Sequence, residues 1–139
     1  MSVRIFYDKT KFRLSGWRET GKKIEEVIRN ELKISGDLNV IIANDKTIRE
    51  LNNQFLKHNY DTDVIAFNYN EGDVVNGEIY ISIETVKRNA REYNVNLNEE
   101  VLRVIIHGVL HLLGFDDKRE KEKTKMKYME DFWLEKMKK

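Results

Sequence analysis

His107 and His111 stand four residues apart in an otherwise apolar stretch, followed at short offsets by Gly114, Asp116 and Asp117. On an α-helix, positions i and i+4 lie on one face about a turn apart. Two imidazoles so spaced reach a single metal ion. Glycine tolerates the left-handed conformation in which helices commonly end, so Gly114 is expected to stop the helix and turn the chain back. Asp117 then supplies a third ligand. Two histidines and one carboxylate around an open fourth position form the layout of a catalytic zinc rather than a structural one. Burying neutral imidazoles costs free energy unless each polar nitrogen has a partner, and a shared ion provides one for each ring. Asp116 is placed to cap the turn or to hold a ligand histidine, because metal-bound imidazoles usually donate their other N–H to a carboxylate or carbonyl.

The spacing H-x3-H-x2-G-x2-D resembles the metzincin pattern H-E-x-x-H-x-x-G-x-x-H in all but two positions. Asp117 replaces the third histidine, and a carboxylate oxygen binds zinc at nearly the distance of an imidazole nitrogen. The second change alters the chemistry. The glutamate that follows the first histidine is the general base of the zinc peptidases, and here that position is Gly108. The peptidase mechanism lacks its proton acceptor, and no other general base is identifiable from the sequence.

The elements that must position these residues follow from periodicity. Apolar residues occupy nearly every side of the segment from Leu97 to about Leu113, the mark of a helix buried at the centre of a fold. Asn96, with Glu99 three residues on, has the form of a capping box at its start. Ahead of it, Val3–Tyr7 reads as a strand. Trp17–Lys33 reads as a helix, with Trp17, Ile24, Val27, Ile28 and Leu32 at helical spacing. Ser35-Gly36-Asp37 reads as a turn, and the β-branched run Leu38–Ala43 as a strand. Asp45 is expected to cap a helix from Lys46 to about Leu56, with Ile48, Leu51 and Phe55 inward. Val64–Phe67 and Gly77–Ser82 read as strands around a loop at Asn70–Asp73, and Glu84–Tyr93 as a helix. A last helix, about Glu120 to Lys138, places Met126, Met129, Phe132, Trp133 and Met137 on one stripe. About four strands with about five helices predict a single α/β (α+β) domain over residues 1–139, with a mixed sheet and the metal site on its central helix.

The bulk properties are compatible with that reading and narrow it. A chain of 139 residues suits one domain. It has no cysteine, which excludes disulfides, thiolate zinc sites and cysteine nucleophiles. It has no proline, where ordinary usage gives about seven. No signal-peptide core opens the chain and no apolar run approaches the ~20 residues of a membrane span, so the expected setting is the cytoplasm, without a membrane partner. Lys and Arg total 25 against 24 Asp and Glu, so nucleic acid would have to be recognised by a local patch rather than by net charge. The basic run Lys118, Arg119, Lys121, Lys123, Lys125 and Lys127 offers one beside the site, although acidic residues interrupt it and the plainer reading is a solvated helix face.

At this point the chain resembles a known family. His107-Gly108, Leu110-His111-Leu112 and Gly114-Phe115-Asp116 match the signature H-G-x-L-H-L-x-G-[YF]-D-H of the YbeY family of bacterial endoribonucleases. Leu51-Asn52 with Phe55, Thr62-Asp63-Val64-Ile65-Ala66-Phe67, and Gly77-Glu78-Ile79-Tyr80-Ile81-Ser82 are similar to three further blocks, and Met126 and Glu130 to the family's last helix. The resemblance implies a compact α/β fold, one zinc ion held by His107, His111 and Asp117, and cleavage of single-stranded RNA. It further implies ribosomal RNA as substrate, in maturation of the 3′ end of 16S rRNA and in quality control of ribosomes, with the small ribosomal subunit as partner and no role on DNA. Asp117 stands where the family usually has a third histidine. Leu56 stands where it has an arginine suited to bidentate phosphate contact, and Ala66 where it has a serine. Lys57 and His58 become the candidates for RNA contact in place of that arginine. Two competing readings are a metzincin-like zinc peptidase, against which Gly108 counts, and a non-catalytic ribosome-binding protein that zinc merely stabilises.

Overall fold

The computed structural model describes residues 2–56 and 62–138. Its elements run β1 (Ser2–Tyr7), α1 (Trp17–Asn30), β2 (Ile34–Ala43), α2 (Asp45–Phe55), β3 (Val64–Asn68), β4 (Val74–Ser82), α3 (Ile83–Tyr93), α4 (Leu97–Leu112) and α5 (Glu120–Met137). The four strands form one sheet in the order β1-β2-β4-β3. β1, β2 and β4 are parallel, and β3 pairs antiparallel to β4 at the edge. This is the single α/β domain with a mixed sheet that the pattern of elements predicts.

Strand periodicity divides the sheet. Leu38, Val40, Ile42, Ile79 and Ile81 are fully buried and alternate with half-buried Asn39, Ile41, Glu78 and Tyr80. The buried face joins one core cluster with Ile24 and Ile28 of α1, Ile105, Val109 and Leu110 of α4, and Met126, Trp133 and Leu134 of α5. On the other face Ile65 and Ile48 are buried, whereas Phe6 is 47% exposed.

α4 is the helix around which the rest is arranged, and glycines let it lie close to the sheet. A Cβ at Gly108 would stand 2.8 Å from Ile79 Cγ2, and one at Gly77 of β4 would stand 2.9 Å from Leu112 Cδ1. Position 108 is therefore packed against the sheet, and a glutamate there has no room. Asn96 caps the start of α4 by accepting from the N–H groups of Asn98 and Glu99. The Glu99 carboxylate pairs with Lys138. At the other end Phe115 N–H reaches Leu110 C=O and Gly114 N–H reaches His111 C=O, both at 3.0 Å. With Gly114 at φ 98°, these are the bonds of a Schellman cap.

Several boundaries depart from the sequence reading. α1 stops at Asn30, and Leu32, at φ 60°, is 88% exposed rather than inward. Ser35-Gly36-Asp37 lies inside β2, where the register against β4 shifts between Ser35 and Leu38. The glycine there accommodates an irregular strand rather than a turn. Asn44, not Asp45, caps α2, its side chain accepting from Thr47 N–H at 2.9 Å. Asp45 instead accepts from the hydroxyls of Ser82 and Thr85 and from Arg88, and these partners outweigh burial to hold its carboxyl below the usual range. Phe55 and Phe132 are largely exposed. Each touches another aromatic ring edge-on, Phe67 and Trp133 respectively.

Candidate metal centre

The polar stripe of α4 carries the site. Arg103, His107 and His111 recur at four-residue spacing and are half-buried polar residues among mostly apolar neighbours. The cap at Gly114 reverses the chain and brings Asp117 back over the histidines. His107 Nε2 lies 3.0 Å from His111 Nε2 and 3.2 Å from Asp117 Oδ2, and His111 Nε2 lies 3.5 Å from the same oxygen. Zinc bonds of about 2.0–2.1 Å at tetrahedral angles put neighbouring ligand atoms about 3.3 Å apart. The triangle fits that requirement with no rearrangement. Among the described residues these three form the group of donors able to share one metal ion.

Glu130 of α5 fixes the orientation of His107. Its Oε2 is 2.5 Å from His107 Nδ1, so Nδ1 carries the proton and Nε2 turns its lone pair inward. Glu130 is itself buried and receives Arg103 at 3.3 Å, while a second Arg103 nitrogen reaches Asp131 at 2.7 Å. Burial works against the charged imidazole. Glu130, with help from Asp117 and Asp63, overrides it and raises the His107 pKa. Asp116, the other carboxylate of the motif, accepts the backbone N–H of Asp117 at 2.7 Å and so braces the turn.

A groove of about 700 Å³ opens beside the centre, with His107 and Asp117 in its wall. Asp63 of the Thr-Asp-Val block lines it, as do Glu100, Lys123 and Lys127. Burial raises the Asp63 carboxyl above its usual range, only partly countered by His107. Burial likewise raises Glu100, with Arg103 opposing. Lys123 and Lys127 are exposed at the groove, so part of the basic run does border the site. Lys125 instead sits over the Phe115 ring. Lys57 and His58 lie outside the described residues.

Asp63, Glu100, Arg103 and Glu130 were not singled out by sequence reasoning as parts of the site. Arg103 had a local signal, because it extends the i, i+4 series of the histidines. Glu130 and Asp63 arrive from other elements, and no local spacing announces them.

The chain is similar to known proteins along most of its length. The family model for Endoribonuclease YbeY matches residues 5–138. An Endoribonuclease YbeY of Flavobacterium psychrophilum is 44% identical over 78% of this chain and 77% of its own length. One from Christiangramia forsetii is 37% identical over 91% and 88%. The solution structure of TM1509 from Thermotoga maritima superposes with a TM-score of 0.65 at 35% identity, covering 97% of this chain and 88% of that one. A fold built around this helix, a triangle of donors at its end and matches along nearly the whole length lead to one conclusion: the chain belongs to the YbeY family of endoribonucleases.

Proposed function

We propose that the chain is a zinc-dependent single-strand endoribonuclease that processes ribosomal RNA, with His107, His111 and Asp117 as the ligands. Its setting in this reading is the cytoplasm, its partner the small ribosomal subunit, and its step the maturation of the 3′ end of 16S rRNA together with removal of defective ribosomes. The observation that carries the reading is the triangle of donor atoms, 3.0 to 3.5 Å on a side, at the wall of an open groove.

Zinc held there supplies Lewis acidity, lowering the pKa of water toward ~7 and offsetting charge that develops on the phosphate. The protein's own residues do the rest. Glu130 holds His107 in the tautomer that leaves Nε2 free for the ion. Asp63, which lines the same groove as His107 and Asp117, is the proton acceptor for the attacking water. Lys123 and Lys127 draw the RNA backbone toward the groove, as point charges rather than as bidentate clamps.

The test combines metal analysis with cleavage. His107→Ala, His111→Ala and Asp117→Ala are each expected to lose most bound zinc by elemental analysis and to lose chelator-sensitive cutting of a single-stranded RNA. Asp63→Asn is expected to keep its zinc and lose about 100-fold or more in rate. Undiminished zinc in all three ligand variants would remove the metal centre. Chelator-sensitive digestion of casein without RNA cleavage would favour a peptidase, although position 108, packed on Ile79, offers that chemistry no base. In cells lacking the protein, an unaltered 3′ end of 16S rRNA would remove the maturation role.

A further inference from the structure

Arg103 and His107 stand one turn apart on the same face of α4, and both side chains reach Glu130 of α5. They divide its carboxylate. Arg103 Nη1 donates to Oε1 at 3.3 Å, and His107 Nδ1 donates to Oε2 at 2.5 Å. The guanidinium is anchored in turn, because its Nη2 lies 2.7 Å from Asp131 Oδ1. One planar fork thus spans two consecutive residues of α5, the inner one buried and the outer one exposed.

Exposed ion pairs contribute little, and the outer half of this clamp is one. The inner half acts on a group that orients a ligand histidine. The terminal torsion of a glutamate is broad, so a single hydrogen bond at Oε2 does not set the plane of the carboxylate. A second one, at Oε1, does. Arg103 also lines the groove, where a guanidinium would suit a phosphate, but Nη1 and Nη2 are both committed to carboxylates. It is not one of the donors able to share the ion, so its route to the metal centre runs through Glu130.

We propose that Arg103 is a positioning residue of the metal centre. With Asp131 as its outer anchor, it sets the plane of the Glu130 carboxylate, and so the direction in which His107 presents Nε2. The inference rests on the zinc reading of the triangle for its consequence, and on the geometry of Arg103, Glu130 and His107 for its cause.

The experiment reads the metal and the ring proton separately, on the full chain as purified. Zinc affinity is measured without RNA, by competition with a chelator. Arg103→Gln is expected to weaken it about 10-fold, the low end of what partners outside the ligand set contribute. Arg103→Lys, a point charge without the fork, is expected to fall between that variant and the wild type. In a Glu130→Gln background Arg103→Gln is expected to add nothing, because the two residues act as one unit. By heteronuclear NMR, the His107 Nδ1–H proton is expected to exchange with water several-fold faster in Arg103→Gln than in the wild type. Asp131→Asn removes only the outer anchor. It is expected to move both readouts the same way by less, and it carries the test should Arg103→Gln fail to fold.

A zinc affinity that Arg103→Gln leaves unchanged, or an equal loss in the Glu130→Gln background, would overturn the proposal. So would an RNA affinity that falls while zinc affinity and proton exchange hold, which would make Arg103 an RNA contact instead. A wild type that binds zinc with no dependence on Arg103 loses the clamp and keeps the metal centre. A wild type that binds no zinc, yet shields its Nδ1–H proton through Arg103, keeps the clamp and loses the metal centre.

Discussion

Glu130 decides which nitrogen of His107 faces the ligand triangle. With Nδ1 engaged at 2.5 Å, Nε2 points at His111 and Asp117. Outer partners of this kind typically tune metal affinity by about 10–100-fold. Glu130→Gln is therefore expected to weaken zinc binding by about that factor in a competition titration with a chelator, while all three ligands remain. Glu100 makes the opposite kind of contribution. Burial holds its carboxyl above the usual range in the folded chain, so folding takes up protons there. The stability it contributes is full below its unfolded pKa of about 4.3 and is lost as pH rises through the folded value. At pH 7 the wild type bears that loss and Glu100→Gln does not. The variant should melt higher than the wild type at pH 7. The gain should vanish near pH 4, and a gain equal at both would contradict the burial account. The candidate donors were legible in the sequence because i, i+4 spacing is a local property. Glu130, Asp63 and Glu100 were not, because what they face depends on how α3, α4, α5 and β3 meet.

At the scale of elements, α4 and β4 form the frame, and their contact is set by small residues. A methyl group at position 108 meets Ile79 Cγ2 at 2.8 Å and Cδ1 at 3.1 Å, and Ile79 is fully buried. Overpacking of this kind costs about 1–3 kcal/mol, against about 1 kcal/mol gained in helix propensity. Gly108→Ala should thus be net destabilised, visible as a lower urea midpoint with unchanged slope. Zinc stoichiometry should stay at the wild-type value, because the methyl points to the sheet and not to the groove. α4 was readable almost to the residue, cap to cap, because its apolar surround, Asn96 and Gly114 are strong local signals. The ends of α1 and β2 were less so. Leu32 continued an apolar period that the backbone had already left, and Gly36 looked like a turn because a bulge and a turn ask for the same residue. Phe55 and Phe132 fitted helical stripes, yet each lies near the edge of its buried face and contacts an aromatic neighbour instead.

For the whole molecule, the zinc reading links metal binding to folding, because the three candidate donors come together only when α4 is docked and its cap is formed. A ligand held at about 100 times its dissociation constant stabilises the folded chain by about 2.7 kcal/mol. Chelation should accordingly lower the melting temperature by about 5 °C or more, and the ligand variants should melt at the chelated temperature with or without zinc. No helix among the described residues is long and apolar enough to cross a membrane. The order of elements has one more consequence, which concerns time. Chains emerge N-terminus first, and β1 through β4 precede every residue of the ligand triangle. A chain that stopped after Asp117 would hold all three donors of the triangle and nothing to orient His107. Only the turns of α5 that carry Met126, Glu130, Trp133 and Leu134 complete both the core and the centre. A nascent chain of this kind therefore has neither a closed core nor an oriented His107 until α5 has been made.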